Sequence, residues 1–467
     1  MLVATQKRKL GFGLHRVVQR SCPGGAGRVA VLVGLLAVTV AVAAPITPGN
    51  LLVYRVDGSG AALGADAAVV HIDEYAISGS PLSASLVQTI TFPFTGPGPL
   101  LTGTGIGTSA GGITEGKLTI SPNGRWVGVA GYNAPENTAN VATASGINRT
   151  IGRIDTTDGS IDVSTSGSLV TGLNNARAAV FDDTGTNIWA ALHGSGANFG
   201  LMYLTLGQTN QGTMLTASPH SVRGVRIFDG QLYIYSDSGN IGVSQVGSGL
   251  PTTGSQPLTG LPGISGPLGP SGVYDQIYGF FMADLDASVP GYDTLWMARE
   301  TIGVTKFSLV DGIWTPIDTN YPGYNVYHID GWVNPDRSVT LAIIGGAAVN
   351  NRLAVMIDSS GYNQPMEGFF EILVRAGDNN RYGGLVFVVP PPAAPPPPFV
   401  LINPNRVGNV FSVSFASESG VTYTLQYKND LTDPTWTNGA SVAGDGTVKT
   451  LSDTSAQSAR FYRVVAN

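Results

Sequence analysis

YGFFMADLDASVPGYDTLWMARE, residues 278–300, decides the fold. Gly279–Asp284 is an apolar run that ends in Asp284-Leu285-Asp286. A polar turn with Pro290-Gly291 follows, and Thr294–Ala298 then alternates around Trp296. The order is strand, acidic turn, strand. The same order recurs at 119–130 (TISPNGRWVGVA), 179–192 (AVFDDTGTNIWAAL), 225–236 (VRIFDGQLYIYS) and 329–344 (IDGWVNPDRSVTLAII). One hairpin type written five times predicts a repeat architecture.

Outward from these hairpins, residues 44–389 consist of short alternating runs cut by Gly, Asn, Asp and Pro turns. That rhythm predicts an all-β chain, and a stretch of this length holds too many strands for one sandwich core. The runs parse into five four-strand units, starting at Lys117, Arg177, Val222, Tyr278 and Val326. Three strands near the start (Leu51–Val56, Val69–Tyr75, Leu86–Phe92) lack an inner partner, and one near residue 389 (Tyr382–Val388) lacks outer ones. Joined, they complete a sixth unit. The expectation is a six-bladed β-propeller closed by N- and C-terminal strands. Thr95–Gly116, rich in Gly and Thr, reads as a loop; hidden strands there would raise the count to seven. Trp126, Trp189, Tyr233 and Trp296 each stand early in the second strand of a unit, where a large ring fills the wedge between neighbouring blades.

Before residue 44 the composition changes. Lys7, Arg8, Lys9, Arg16, Arg20 and Arg28 precede the apolar run Val29–Val42, and Ala41-Val42-Ala43 supplies small residues for cleavage. Residues 1–43 therefore read as a signal peptide, the run being shorter than the ~20 residues that span a bilayer. The only cysteine, Cys22, falls inside it, so the exported chain is expected to have no disulfide and no thiolate metal site. Without those six bases the balance is 19 Lys and Arg against 31 Asp and Glu, net −12. Such a surface repels polyanions, which excludes nucleic acid as a partner class. The expected protein is secreted, periplasmic or at the cell surface, is monomeric, and has no membrane span after cleavage.

VPPPAAPPPPF at 389–399 places seven prolines within 390–398, a polyproline II spacer between folded bodies. Residues 399–467 then form a small β module, with strands expected at Phe411–Ala416, Thr422–Lys428, Thr447–Leu451 and Arg460–Val465. Its core is expected from Tyr423, Tyr427, Trp436 and Tyr462.

With Leu51–Val56 (LLVYRV), Ala283–Ser288 (ADLDAS) and Gln231–Ser236 (QLYIYS), residues 44–389 resemble secreted bacterial β-propeller proteins of unknown function that carry such blade motifs. The resemblance implies a fold and an export route but no activity. YTLQYKNDLTDPTWT at 423–437 and RFYRVV at 460–465 resemble fibronectin-III-like modules of exported bacterial proteins, which implies a small β-sandwich.

Chemistry is sparse. Asp284, Asp286 and Ser288 alternate, and Asp293 follows. Oxygens so spaced are how a turn wraps Ca²⁺, and the stretch is similar to the calcium turns of integrin-type propeller repeats. No Gly follows Ser288 and Asp293 falls one residue late, so an acidic turn bonded to its own backbone stands beside the calcium reading. Calcium is the one cofactor these residues suggest. Four histidines remain in the exported chain: His71, His193, His220 and His328. His328 and Asp330, two apart on one strand face, are the pair expected to line the central channel, with Arg177 and Arg223 as neighbouring cations. No nucleophile elbow, HExxH or phosphate loop is present, which weighs against an enzyme. The reading is an exported scaffold binding an extracellular protein or glycan. Its rival is a lactonase-like hydrolase acting on a sugar or lactone at the channel mouth.

Overall fold

The computed structural model describes residues 43–467 except 106–113, 171–174, 193–199, 217–221, 237–241, 265–276, 390–399, 434, 458 and 467. His193, His220, the residues expected to form a polyproline spacer and those expected to form a signal peptide up to residue 42 lie outside the described residues. Among the described residues the chain is all-β, with no α-helix and none long and apolar enough to cross a membrane.

Strands are numbered in chain order. β1 (Leu51–Asp57), β2 (Ala67–Ser78) and β3 (Ser83–Thr91) pair antiparallel, and the inner edge of β1 is taken by the distant β25 (Asn380–Phe387), Leu51 opposite Phe387. The strands left over at the two ends of the stretch thus do complete one four-stranded run. The segment expected to be a loop departs from expectation. It contains the short β4 (Thr102–Thr104), which pairs with the start of β2 and with Tyr132. It thereby ties the first run to the next, β5 (Thr119–Ile120), β6 (Trp126–Asn133), β7 (Asn148–Asp155) and β8 (Ile161–Gly167), in one nine-stranded sheet.

Four antiparallel four-stranded sheets follow. The first is β9 (Ala176–Phe181), β10 (Asn187–Leu192), β11 (Leu201–Thr205) and β12 (Thr213–Thr216). The second is β13 (Val222–Phe228), β14 (Gln231–Ser236), β15 (Gly242–Val246) and β16 (Leu258–Gly260). The third is β17 (Ile277–Ala283), β18 (Thr294–Arg299), β19 (Gly303–Val310) and β20 (Ile313–Asn320). The fourth is β21 (Val326–Val333), β22 (Val339–Gly345), β23 (Arg352–Asp358) and β24 (Glu371–Arg375). The innermost strands lie side by side in the order β5, β9, β13, β17, β21, β25, and β25 returns to lie beside β5.

Inner and second strands are buried on both faces, which is why they read as continuous apolar runs. Trp126, Trp189, Tyr233 and Trp296 are all buried, each packed with residues of the following sheet: Trp296, for example, with Ile329 and Leu341. Dispersion and area burial make such rings the main filler between twisted sheets. Between the third and fourth of these sheets the contact is also ionic. Lys306 donates to Asp358 at 2.9 Å with both side chains buried, and its amine also donates to Ser360 Oγ and the Gly361 carbonyl. All three ammonium hydrogens have acceptors, the condition under which a buried pair is tolerated.

From residue 400 onward two three-stranded sheets form. They are β26 (Leu401–Val407), β27 (Val410–Ala416) and β30 (Val448–Thr454), and β29 (Thr437–Ala443), β28 (Thr422–Lys428) and β31 (Phe461–Ala466). The core is Val413, Phe415, Tyr423, Leu425 and Leu451, with Tyr462 stacked on Phe411 at 4.0 Å. Tyr427 and Trp436 were expected there and are not in it. They are half-buried faces under Arg460 (3.9 Å) and Arg463 (4.5 Å).

Candidate functional site

The β17–β18 turn brings Asp284, Asp286, Ser288 and Asp293 together but turns their oxygens to different tasks. Asp293 is fully buried, and its carboxylate accepts from the backbone N–H of Leu285 (3.0 Å) and of Asp286 (2.5 Å) and from the Thr294 hydroxyl (2.7 Å). Asp286 accepts from the N–H and hydroxyl of Ser288, at 2.9 and 2.7 Å. These bonds hold its carboxyl below the usual carboxylate range. Asp284 stands apart, exposed at the rim of a cavity. Among the described residues no three of His, Cys, Asp and Glu are grouped as they would be around a metal ion.

His71 lies on β2, bonded to Thr91 Oγ1 at 2.8 Å, and does not converge with Glu74, which is buried and accepts from Thr47, Asn50 and Gln88. His328 and Asp330 do share one face of β21, where they meet backbone. The Leu385 N–H donates to His328 Nδ1 at 3.0 Å, and the Phe387 N–H donates to Asp330 at 2.8 Å. Two residues apart on β21 match two residues apart on β25, so the pair is a clip at the closure of the strand order. Burial, then the charges of Lys117 and Arg226, push the His328 imidazole well below its ordinary range, so it is neutral.

Arg177 and Arg223, expected near the inner strands, are buried at their starts. Arg177 donates to the Val222 carbonyl at 3.0 Å, and the Arg223 guanidinium lies 4.3 Å from the Tyr278 ring centre. Lys117 joins them, donating to the Tyr327 carbonyl, with its amine 5.3 Å from the same ring. Burial, then Arg223, Arg381 and Arg177, hold that amine well below its usual value.

At the opposite ends of the same strands is a cavity of about 570 Å³. Its floor is an ion pair missed in the sequence: Arg226 of β13 donates to Asp330 of β21 at 2.5 Å, across the intervening β17. Its walls are Phe228, Phe281, Tyr292, Trp332 and Phe387, and Asp229 and Asp284 are exposed at the rim. Phe228 and Tyr292 meet edge to face at 5.6 Å. Phe281 lies against the backbone of Gly331, where an added Cβ would come within 2.4 Å of the ring; glycine there is what lets the wall stand. Asp330 is held from both sides, by Arg226 and by the Phe387 N–H, so the floor is electrically balanced. The signal that would have found this site is positional: strand ends such as VRIFDG, FFMAD and DGWV converge only once the inner strands are set side by side.

No family model matches the chain, and no curated protein matches it in sequence. Among solved structures it is similar to Sqt1 of Saccharomyces cerevisiae, at 11% identity and TM-score 0.36 over 79% of this chain and 94% of that one. It is also similar to PorZ, a surface component of the type-IX secretion system of Porphyromonas gingivalis, at 11% identity and TM-score 0.29 over 86% and 69%. Puromycin hydrolase is similar at 12% identity and TM-score 0.32 over 81% and 59%. At these scores nothing about activity passes from those proteins to this one.

Proposed function

We propose that this chain is an exported six-bladed β-propeller, carried by a signal segment and followed by a polyproline spacer and a fibronectin-III-like module, and that it acts as a binding scaffold. Its ligand site is the cavity at the ends of the inner strands. Six four-stranded runs with inner strands in cyclic order support the propeller reading. The observation that carries the function is the cavity itself: about 570 Å³, walled by aromatic rings, over a floor whose charges cancel. That volume lies within the ~300–1,000 Å³ range of small-ligand sites. Catalysis at the same mouth is the weaker reading, because His328 and Asp330 spend their acceptors on the backbone of β25.

Small-molecule and glycan panels screened by thermal shift test this. A ligand at a hundredfold excess over its Kd stabilises the fold by about 2.7 kcal/mol. The expected result is a melting rise of several degrees in the natural chain that Trp332→Ala removes. Hits that stabilise Trp332→Ala equally would place binding elsewhere.

A further inference from the structure

The chemistry of the cavity narrows its ligand. Arg226 and Asp330 neutralise each other, which leaves Asp229 and Asp284 as the net charge of the site. Neither is in an ion pair among the described residues, and both are exposed at the rim. The Tyr292 ring lines the same cavity as both carboxylates and lies 5.6 Å from Phe228. Its phenol is raised by burial first, then by neighbouring Asp229, Tyr233 and Asp284; the ring and both carboxylates share one cavity wall. Aromatic faces next to uncompensated carboxylates attract cations, and a cation within about 6 Å of a ring centre gains from its quadrupole. The site already shows this internally, since the Arg226 guanidinium lies 5.4 Å from the Phe228 centre.

The same inventory disfavours a sugar. Ser121 Oγ already bonds Asn123 and the Trp126 N–H, and Arg226 and Asp330 bond each other. Apart from the two rim carboxylates, Tyr292 and Trp332, the polar side chains lining the cavity are already hydrogen-bonded, and each sugar hydroxyl buried without a partner costs affinity. An apolar body loses nothing against Phe281 and Trp332.

Resting on the binding reading above, we infer that the cavity takes a lipophilic cation: an ammonium group on an apolar body, its charge at Asp229 and Asp284 and its body among the aromatic walls.

Calorimetric titration of the full chain with benzyltrimethylammonium and phenylethylammonium, against neutral phenylethanol and maltose, tests this. The cations should bind at least about tenfold tighter than phenylethanol at low ionic strength, and salt should narrow the gap. Asp229→Asn with Asp284→Asn, both exposed and so tolerated by the fold, should close the gap and leave phenylethanol binding unchanged. Two results overturn the cation assignment while leaving the cavity as a binding site: phenylethanol or maltose binding as tightly as the cations, with the signal lost in Trp332→Ala, or cation affinity unmoved by the double substitution. No binding by any probe, with a native circular-dichroism spectrum, overturns the assignment and the cavity reading together.

Discussion

His328 shows how a residue that looks like chemistry becomes structure. In the sequence it is one of few histidines, two residues from an aspartate. In the fold its Nδ1 accepts a hydrogen bond from the Leu385 N–H, a bond that protonation would abolish by placing a donor against a donor. Its pKa is depressed in the folded state, so the folded chain binds fewer protons than the unfolded chain once pH falls below the unfolded value of about 6.5. Stability from this residue is complete above that pH and is lost as pH falls below it. Urea unfolding followed between pH 5 and 8 should show stability rising toward pH 6.5 by up to about 1.4 kcal/mol per unit from this group. His328→Asn, which keeps an acceptor, should flatten that part of the slope. Equal slopes in the two proteins would mean the imidazole is not the group responsible.

At the scale of the hairpin, the turns share one device. Asp155 accepts from the Thr157 N–H, Asp158 from Ser160, Asp286 from Ser288, Asp336 from Ser338 and Asp358 from Ser360. An aspartate bonding the backbone two residues on is how a turn satisfies its own N–H groups. It accounts for the acidic turns as well as a metal reading does. The β17–β18 turn adds the buried Asp293, whose removal would leave two partly buried backbone donors without their acceptor. Asp293→Ala should cost about 2–4 kcal/mol in thermal or urea unfolding. The natural chain should melt at the same temperature with and without a chelator, and a chelator-induced fall of several degrees would instead put calcium on these residues. Much at this scale was legible. Alternation gave the strands, and the leftover strands at both ends gave their partners. β4 was missed because three residues, Thr-Gly-Thr, carry no period. β26 and β29 were missed because nearly every side chain on them is exposed, so no apolar face marks them.

For the whole molecule, closure rests on β25. It pairs with β1 along the strand and receives His328 and Asp330 from β21, so chain segments more than 300 residues apart complete one sheet. A chain ending after Val389 keeps every strand of this body and should melt cooperatively within a few degrees of the full chain. One ending after Ala376 loses β25, opens the edge of β1, strips His328 and Asp330 of their backbone donors, and should lose its cooperative transition. If the chain ending after Val389 fails to fold, residues 44–389 are not an independent domain.

By itself the sequence determined what is local. Period-two alternation, turn residues and repeated hairpins specify strands and their antiparallel neighbours, because those contacts lie within a few residues along the chain. The tertiary structure decided what is shared between distant segments. Only when the inner strands stand side by side do Arg226 and Asp330, 104 residues apart, meet across β17, and only then do Phe228, Phe281, Tyr292 and Trp332 wall a cavity. The same packing spent His328 on a backbone amide and buried Asp293 under its own turn. A side chain's type fixes what it is able to do, and its burial and partners fix which of those things it does.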